Sequence, residues 1–362
     1  MKRIFALVLA LVMCLSLIAC GAKTEEPAAP APEAPAAPEA APEAPAKEET
    51  YVLRLAMQQG NVSREESAEV MWTERFKEEV EKNSNGRVTV EIYPSAQLGS
   101  QEDNVASLIN NSLEMTCVNS TILNSISPST MMLACPALFA NEEECDAVLN
   151  GEWGQKFWND VATESGVRVL AAFCNGMRSF TTSNKELTTV ESAKGVTFRV
   201  MTSPVYEKMV EAFGGNPVPM PGSEMYTAMQ NGTVDGQENP PVNILNDRTY
   251  EVQKYMVLDK HVASVVTFDI SEAYWQTLPA DIQQIIADAA ALVNPEAAAV
   301  CKNLNETGVS KLEEYGMIVY TPTEEELADW HNTMRGPCVE YIKGQLGDAV
   351  VDGLLAAIDA VR

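Results

Sequence analysis

Past residue 50 the hydrophobic positions follow two periods in turn. Residues 52–57 (VLRLAM) alternate in part and predict a strand. Trp72, Phe76 and Val80 recur at every fourth position and predict an amphipathic helix over 65–82, ended by Asn85-Gly86. Residues 88–92 (VTVEI) alternate strictly and predict a second strand, which completes a βαβ unit. A helix near 102–111 and a strand over 113–118 repeat the pattern, and further strands are predicted at 168–173, 196–200, 265–270 and 317–320, with helices between them. Such alternation along the whole chain means α/β architecture, with sheets covered on both faces. One helical stretch is unusually long. Pro279-Ala280-Asp281 opens it and Gly316 stops it after Tyr315, while Pro295 should kink or interrupt it. At this length it reaches about 50 Å, which suits an element running along two lobes.

The first 50 residues follow neither period. Lys2 and Arg3 precede an uncharged apolar run, 4–18, that ends in Leu17-Ile18-Ala19-Cys20-Gly21. The run is short for a membrane span and has the layout of a signal peptide. Leu-Ile-Ala-Cys resembles the bacterial lipobox, in which the cysteine thiol takes the lipid, so Cys20 is the expected lipidation site. Residues 21–50 are mostly Ala, Pro and Glu, a composition that cannot bury a core and favours extended polyproline II structure. A stalk behind a lipidated cysteine is the expected arrangement.

Length and charge narrow the classes. The 362 residues suffice for two α/β lobes with real cores. Asp and Glu number 51 against 25 Lys and Arg, a formal charge of -26. That balance argues against nucleic acid and against docking on anionic lipid, both of which need basic patches. Apart from Cys14 and Cys20, the cysteines are Cys117, Cys135, Cys145, Cys174, Cys301 and Cys338, with no CxxC pair. Neither a zinc ribbon nor a thioredoxin-like site is indicated. Export permits disulfides, with Cys135–Cys145 the shortest candidate loop; buried reduced thiols are the other reading.

Catalytic and cofactor patterns are missing. The two histidines, His261 and His331, form no HExxH, and there is no GxGxxG, GxxxxGK[ST] or GxSxG. No catalytic residue, cofactor or metal is therefore expected. Carboxylate pairs carry no information in so acidic a chain.

The informative region is 175–240. It contains Asn175-Gly176-Met177-Arg178, then 181–184 (TTSN), 193–200 (AKGVTFRV), 214–220 (GGNPVPM), 224–232 (EMYTAMQNG) and 234–240 (VDGQENP). Arg199 stands between Phe198 and Val200, so on a strand its side chain faces opposite to both. Such a guanidinium points to solvent, pairs with an acid or enters a cleft.

At these residues the chain resembles the solute-binding proteins of tripartite ATP-independent periplasmic (TRAP) transporters, the DctP-like family. Residues 93–99 (YPSAQLG) and 250–255 (YEVQKY), followed by His261, carry the same resemblance in the same order. It runs from about Tyr51 to about Asp288 and more loosely to the end. It implies a two-lobed, periplasmic-binding-protein-like α/β fold, with a ligand cleft between the lobes and a long helix across both. Residues 51–175 and 265–304 would form lobe I, and 176–264 and 305–362 lobe II, after a signal peptide over 1–20. The resemblance also implies that Arg199 grips a ligand carboxylate bidentately, which suits the planar fork of arginine. Arg178 would be a second anion contact and Asn239 a hydrogen-bond partner.

The chain departs from the sialate-binding members. Phe180 is an extra residue between Arg178 and the 181–184 block. Gln58, Gln101, Asn119 and Gly222 stand where those members carry charged or aromatic ligand contacts, so a sialate pocket is not expected. These four are candidates for the pocket wall, although Gln58 can simply end a strand, Asn119 cap a turn and Gly222 allow one. Trp72 and Tyr226 are expected in the core or at the rim; Glu238 can line the cleft but is expected to be structural, holding the loop before Asn239.

The function implied is a monomeric, extracytoplasmic lipoprotein that captures a small organic carboxylate and hands it to TRAP permease subunits. Transport would be driven by an ion gradient, and the chain would not be an enzyme. The rival readings are a secreted lipoprotein enzyme acting on a carboxylate and a sensor subunit presenting ligand to a receptor.

Overall fold

Ten strands join into one connected sheet system in the computed structural model, which describes residues 49–60 and 62–362. The expected signal peptide, the expected lipidation site Cys20 and residues 21–48 of the expected stalk lie outside the described residues. The strands are β1 Tyr51–Met57, β2 Val88–Tyr93, β3 Met115–Asn119, β4 Val167–Thr182, β5 Thr197–Val200, β6 Asn216–Pro219, β7 Gly236–Asn239, β8 Tyr255–Val257, β9 Val262–Ser271 and β10 Ile318–Tyr320. They run in the order β2-β1-β3-β9-β4-β7-β5-β6, with β8 pairing to β4 and β10 to β8. β1 lies parallel between β2 and β3, as βαβ units require.

The strand expected at 168–173 proves to be 16 residues long. Its first part pairs antiparallel with β9, from Val167–Ser271 to Arg178–Val262. Its last part pairs with β7, from Ser179–Asn239 to Thr182–Gly236. One strand thus belongs to both halves of the sheet system. The extension was hidden because residues 174–182 (CNGMRSFTT) show no alternation, yet all are buried. Between Cys174 and Met177 the β4–β9 register shifts. Gly176 sits in that shift with φ +107°, and a Cβ there would lie 2.5 Å from the Asn305 amide. Only glycine fits both the backbone and the space.

The helices begin where side chains can satisfy their free N–H groups. Ser67 caps Ala68–Asn83, and Ser100 with Asp103 forms a capping box on Gln101–Ile109. Thr323 and Glu326 do the same for Glu324–Leu346. The long helix, Ala280–Glu314, runs 35 residues unbroken through Pro295. Its first half packs Ile282, Ile286, Ala290 and Val293 into a core shared with Trp72, Phe76 and Phe268. Its last turns put Leu312 against Ile244 and Met256. It therefore spans both halves, and the fold is the two-lobed α/β architecture expected.

Trp72 is a core residue, stacked 3.7 Å from Phe268 and 4.6 Å from Phe76. Phe180 is also core, stacked on His261 at 4.4 Å. All six cysteines beyond Cys20 are buried free thiols, so the Cys135–Cys145 bridge is not formed. No helix among the described residues is long and apolar enough to cross a membrane.

Candidate functional site

Three residues reach the site from one lobe. Gln58 follows the end of β1, Gln101 opens the helix after its capping box, and Asn119 closes β3. Four come from the other side: Arg178 late in β4, Arg199 in β5, Gly222 at the start of the helix Gly222–Gln230, and Asn239 at the end of β7. All seven line a single cavity. The lobes touch across it. A Cβ on Gly222 would lie 2.7 Å from the Gln58 amide nitrogen, and Gln59 Nε2 donates to Asp247 Oδ1 at 3.2 Å.

The three amide side chains also do local work. Gln101 Nε2 donates to Gln58 Oε1 at 3.1 Å, and Gln101 Oε1 accepts from the Asn119 backbone at 2.8 Å. Asn119 Oδ1 caps the next turn through Thr121 N, while its Nδ2 donates to Ser264 Oγ at 3.0 Å. Turn-capping and cavity lining, which looked like alternatives, are combined in one residue. The chain continues to Arg178, whose Nη1 donates to Ser264 Oγ at 3.2 Å.

The two arginines differ in one decisive respect. Arg178 already has an internal counter-ion. Its Nε and Nη2 donate to the Glu238 carboxylate at 2.5 and 2.8 Å, and Nη2 also donates to the Glu238 carbonyl. Burial opposes charge on Arg178, but Glu238 more than offsets it and holds the guanidinium above its usual range. Glu238 in turn contacts His261 Nε2 at 3.3 Å, and His261 Nδ1 lies 2.7 Å from Asp259 Oδ2. Burial works against protonation of His261, yet Asp259 and Glu238 prevail and raise it to about 9. This Arg178–Glu238–His261–Asp259 network is charge-balanced. Glu238 is structural, but it stands within strand β7 and not in a loop before Asn239, and its carboxylate joins Arg178 to His261.

Arg199 has no ion-pair partner among the described residues. Its Nε and Nη2 donate to the Met220 carbonyl at 3.1 and 2.7 Å, and Nη1 contacts Met225 Sδ at 3.7 Å. These bonds occupy three of its five N–H groups, leaving the others for the cavity it lines. Only 4% of the residue is exposed. Burial depresses its ionisation to about 10; Glu238 counters this in part, and Arg178 adds to it. A buried, under-compensated guanidinium is an electrostatic demand for an anion. Of the three destinations left open for this side chain, it takes the cleft. Asn239 stands beside the same thioether, its Nδ2 donating to Gln237 Oε1 at 2.6 Å and contacting Met225 Sδ at 3.6 Å.

Other lining residues gave little sign in the sequence. Glu69 lies in the first turn of the helix Ala68–Asn83, where an acid is ordinary because the N-terminus favours negative charge. Asp247 follows the short helix Pro241–Asn246 as its C-cap. Both line the cavity, as do Asn243 and Ser264. Burial, with Asp247 adding to it, pushes the Glu69 carboxyl up to about 8. Burial raises Asp247 to about 6, against the pull of Gln59 and the two arginines. Tyr226 is not on this wall; its hydroxyl donates to Glu251 Oε2 at 2.8 Å.

Comparison with known proteins gives the family. The family model described as bacterial extracellular solute-binding protein, family 7 (DctP), matches residues 60–343. A solute-binding protein of Roseobacter denitrificans is 31% identical over 246 residues, covering 68% of this chain and 75% of that one. The C4-dicarboxylate-binding periplasmic protein DctP of Rhodobacter capsulatus is 28% identical over 285 residues, covering 78% of this chain and 85% of its own. The sugar acid binding protein of Advenella mimigardefordensis, solved in complex with galactonate, superposes with a TM-score of 0.82 at 30% identity, covering 87% of this chain and 100% of that one. The chain therefore belongs to the DctP family of TRAP-transporter solute-binding proteins, a family of extracytoplasmic binding proteins and not of enzymes.

Proposed function

We propose that the protein captures a small organic carboxylate on Arg199 and, with the lobes closed over it, presents it to the membrane permease of a TRAP transporter. The observation behind this is the contrast between the arginines: Arg178 is neutralised by Glu238, and Arg199 is buried without an acid. A carboxylate in that place would complete the charge balance and accept two parallel N–H bonds. Relatives solved with galactonate, succinate and orotic acid all hold acids, which supports the same class here. Asn239 and the Gln58–Gln101–Asn119 chain would supply further polar contacts.

Closure would occur about the segments where β4 and β9 pass between halves. On this reading lobe I comprises 51–175 and 265–304, and lobe II 176–264 and 305–362. Ligand bridging the two would shift the population toward the closed form that the permease recognises. The protein would act as a monomer, tethered by lipid on Cys20 and held off the membrane by the Ala/Pro/Glu stalk. Loss of palmitate labelling in Cys20→Ala would support the anchor, and retained labelling would reject it.

Calorimetry over a panel of organic acids and their neutral amides tests the ligand class. One or more acids should bind, each at least ~30-fold tighter than its amide, given the ~2–5 kcal/mol cost of leaving a buried charge unpaired. An amide binding as tightly as its acid would refute the carboxylate reading.

A further inference from the structure

The cavity wall is not uniformly basic. Besides Arg199 and the neutralised Arg178 it carries Glu69, which is buried, and Asp247, which is half-buried. Neither acid forms an ion pair with either arginine among the described residues, so they do not cancel Arg199. Each is held by a neutral amide instead. Glu69 Oε1 accepts from Asn175 Nδ2 at 3.2 Å, and that same Nδ2 donates to the cavity-lining Asn243 Oδ1 at 2.9 Å. Asp247 Oδ1 accepts from Gln59 Nε2 at 3.2 Å. Two carboxyl groups on two different elements are thus fixed in place with acceptor capacity to spare.

We infer that Glu69 and Asp247 form an acceptor subsite that selects a polyhydroxy monocarboxylate, a sugar acid, and rejects dicarboxylates. The inference rests on Arg199 holding the ligand carboxylate and adds what the rest of the ligand must be. The cavity offers one under-compensated cation, enough for one carboxylate. A second carboxylate would find Arg178 already bound to Glu238 and would face the ionised Asp247, and like charges placed together in a closed site cost several kcal/mol. Hydroxyl groups meet the opposite situation. Each can donate to Glu69, Asp247 or the Asn243 carbonyl and can accept from the Gln58, Gln59 and Gln101 amides. Glu69, held largely protonated near neutral pH by burial, can itself donate as well as accept. The subsite therefore suits a neutral, hydroxyl-rich tail on a single carboxylate.

The test is calorimetry with galactonate, succinate and lysine as probes, on the wild type and on Glu69→Gln, Asp247→Asn and Arg199→Ala. Galactonate should bind the wild type at least ~100-fold tighter than succinate. Glu69→Gln and Asp247→Asn should each weaken galactonate about 10-fold and narrow its lead over succinate. Succinate matching galactonate on the wild type, with binding lost in Arg199→Ala, would overturn this inference and leave the carboxylate reading standing. Lysine binding more tightly than galactonate would also overturn it, because the tail sought would then be cationic. Galactonate binding unchanged in Arg199→Ala would bring down both. The wild-type comparison does not depend on any variant folding.

Discussion

Arg178 and Glu238 face each other from the paired strands β4 and β7 as a bidentate ion pair at 2.5 and 2.8 Å, with 2% and 0% of their side chains exposed. This pair makes the site selective by taking one of two arginines out of play. Removing one member should cost far more than removing both. Glu238→Gln should destabilise the protein by about 3–5 kcal/mol in urea unfolding, because it leaves a buried cation unpaired. The double variant Arg178→Met/Glu238→Gln should recover most of that loss. Equal losses in the single and double variants would mean that packing, not charge, dominates at this position.

His261 makes the stability of the same network depend on pH. Its folded value of about 9 lies above the ordinary 6.5, despite burial, because of Asp259 and Glu238. The stabilisation from this proton is complete below pH 6.5 and is lost as pH rises through about 9. The amount at stake is on the order of 3 kcal/mol. Glu69 acts in the same direction, since its value is raised to about 8 and the loss begins above 4.5. The melting temperature should therefore fall from pH 6.5 to 9, and His261→Gln should flatten most of that slope. An undiminished slope in the variant would assign the effect elsewhere.

Gly222 tests whether closure contributes to affinity. A Cβ there would sit 2.7 Å from Nε2 and 2.9 Å from Oε1 of Gln58, on the opposite lobe. Gln58 would have to swing away and give up its bond to Gln101. Gly222→Ala should penalise the closed form by about 1–3 kcal/mol, the usual cost of overpacking. Ligand affinity should drop by roughly the matching 5- to 150-fold, while the ligand-free protein melts as before. Unchanged affinity would mean that the lobes need not meet at this point.

Much of this was legible in the amino-acid order because hydrophobic periodicity reports which face is buried. The long helix was expected from Pro279 to Tyr315 and is observed over Ala280–Glu314, since its ends carry strong stop signals. The strand carrying Arg199 was equally plain. Residues 174–182 were not, because their burial is polar: the side chains of Arg178, Ser179 and Thr181 are inside on account of hydrogen-bond partners that lie 56 to 86 positions away in sequence. The prolines of β6 disguised an edge strand, the one sheet position that tolerates them. At the site, all seven candidate residues reach the cavity, yet their electrostatic roles required three dimensions. Nothing in the order of residues says that Glu238 satisfies Arg178 and leaves Arg199 unpaired. Glu69 and Asp247 stand at helix ends in an acid-rich chain, and only their place in the cavity wall sets them apart.

A buried cation without a counter-ion should lower the stability of the unliganded fold. Arg199→Met keeps the volume and removes the charge, so the ligand-free variant should melt at or above the wild-type temperature. A marked fall in melting temperature would show that the Met220 carbonyl contacts already satisfy the guanidinium.

The most direct measurement is titration calorimetry of wild type and Arg199→Ala with the tightest-binding acid. Affinity should fall by about 2–5 kcal/mol, roughly 30-fold to several thousandfold, while the unliganded melting curve stays near that of the wild type. Equal affinity in the two proteins would contradict the claim that this guanidinium holds the ligand.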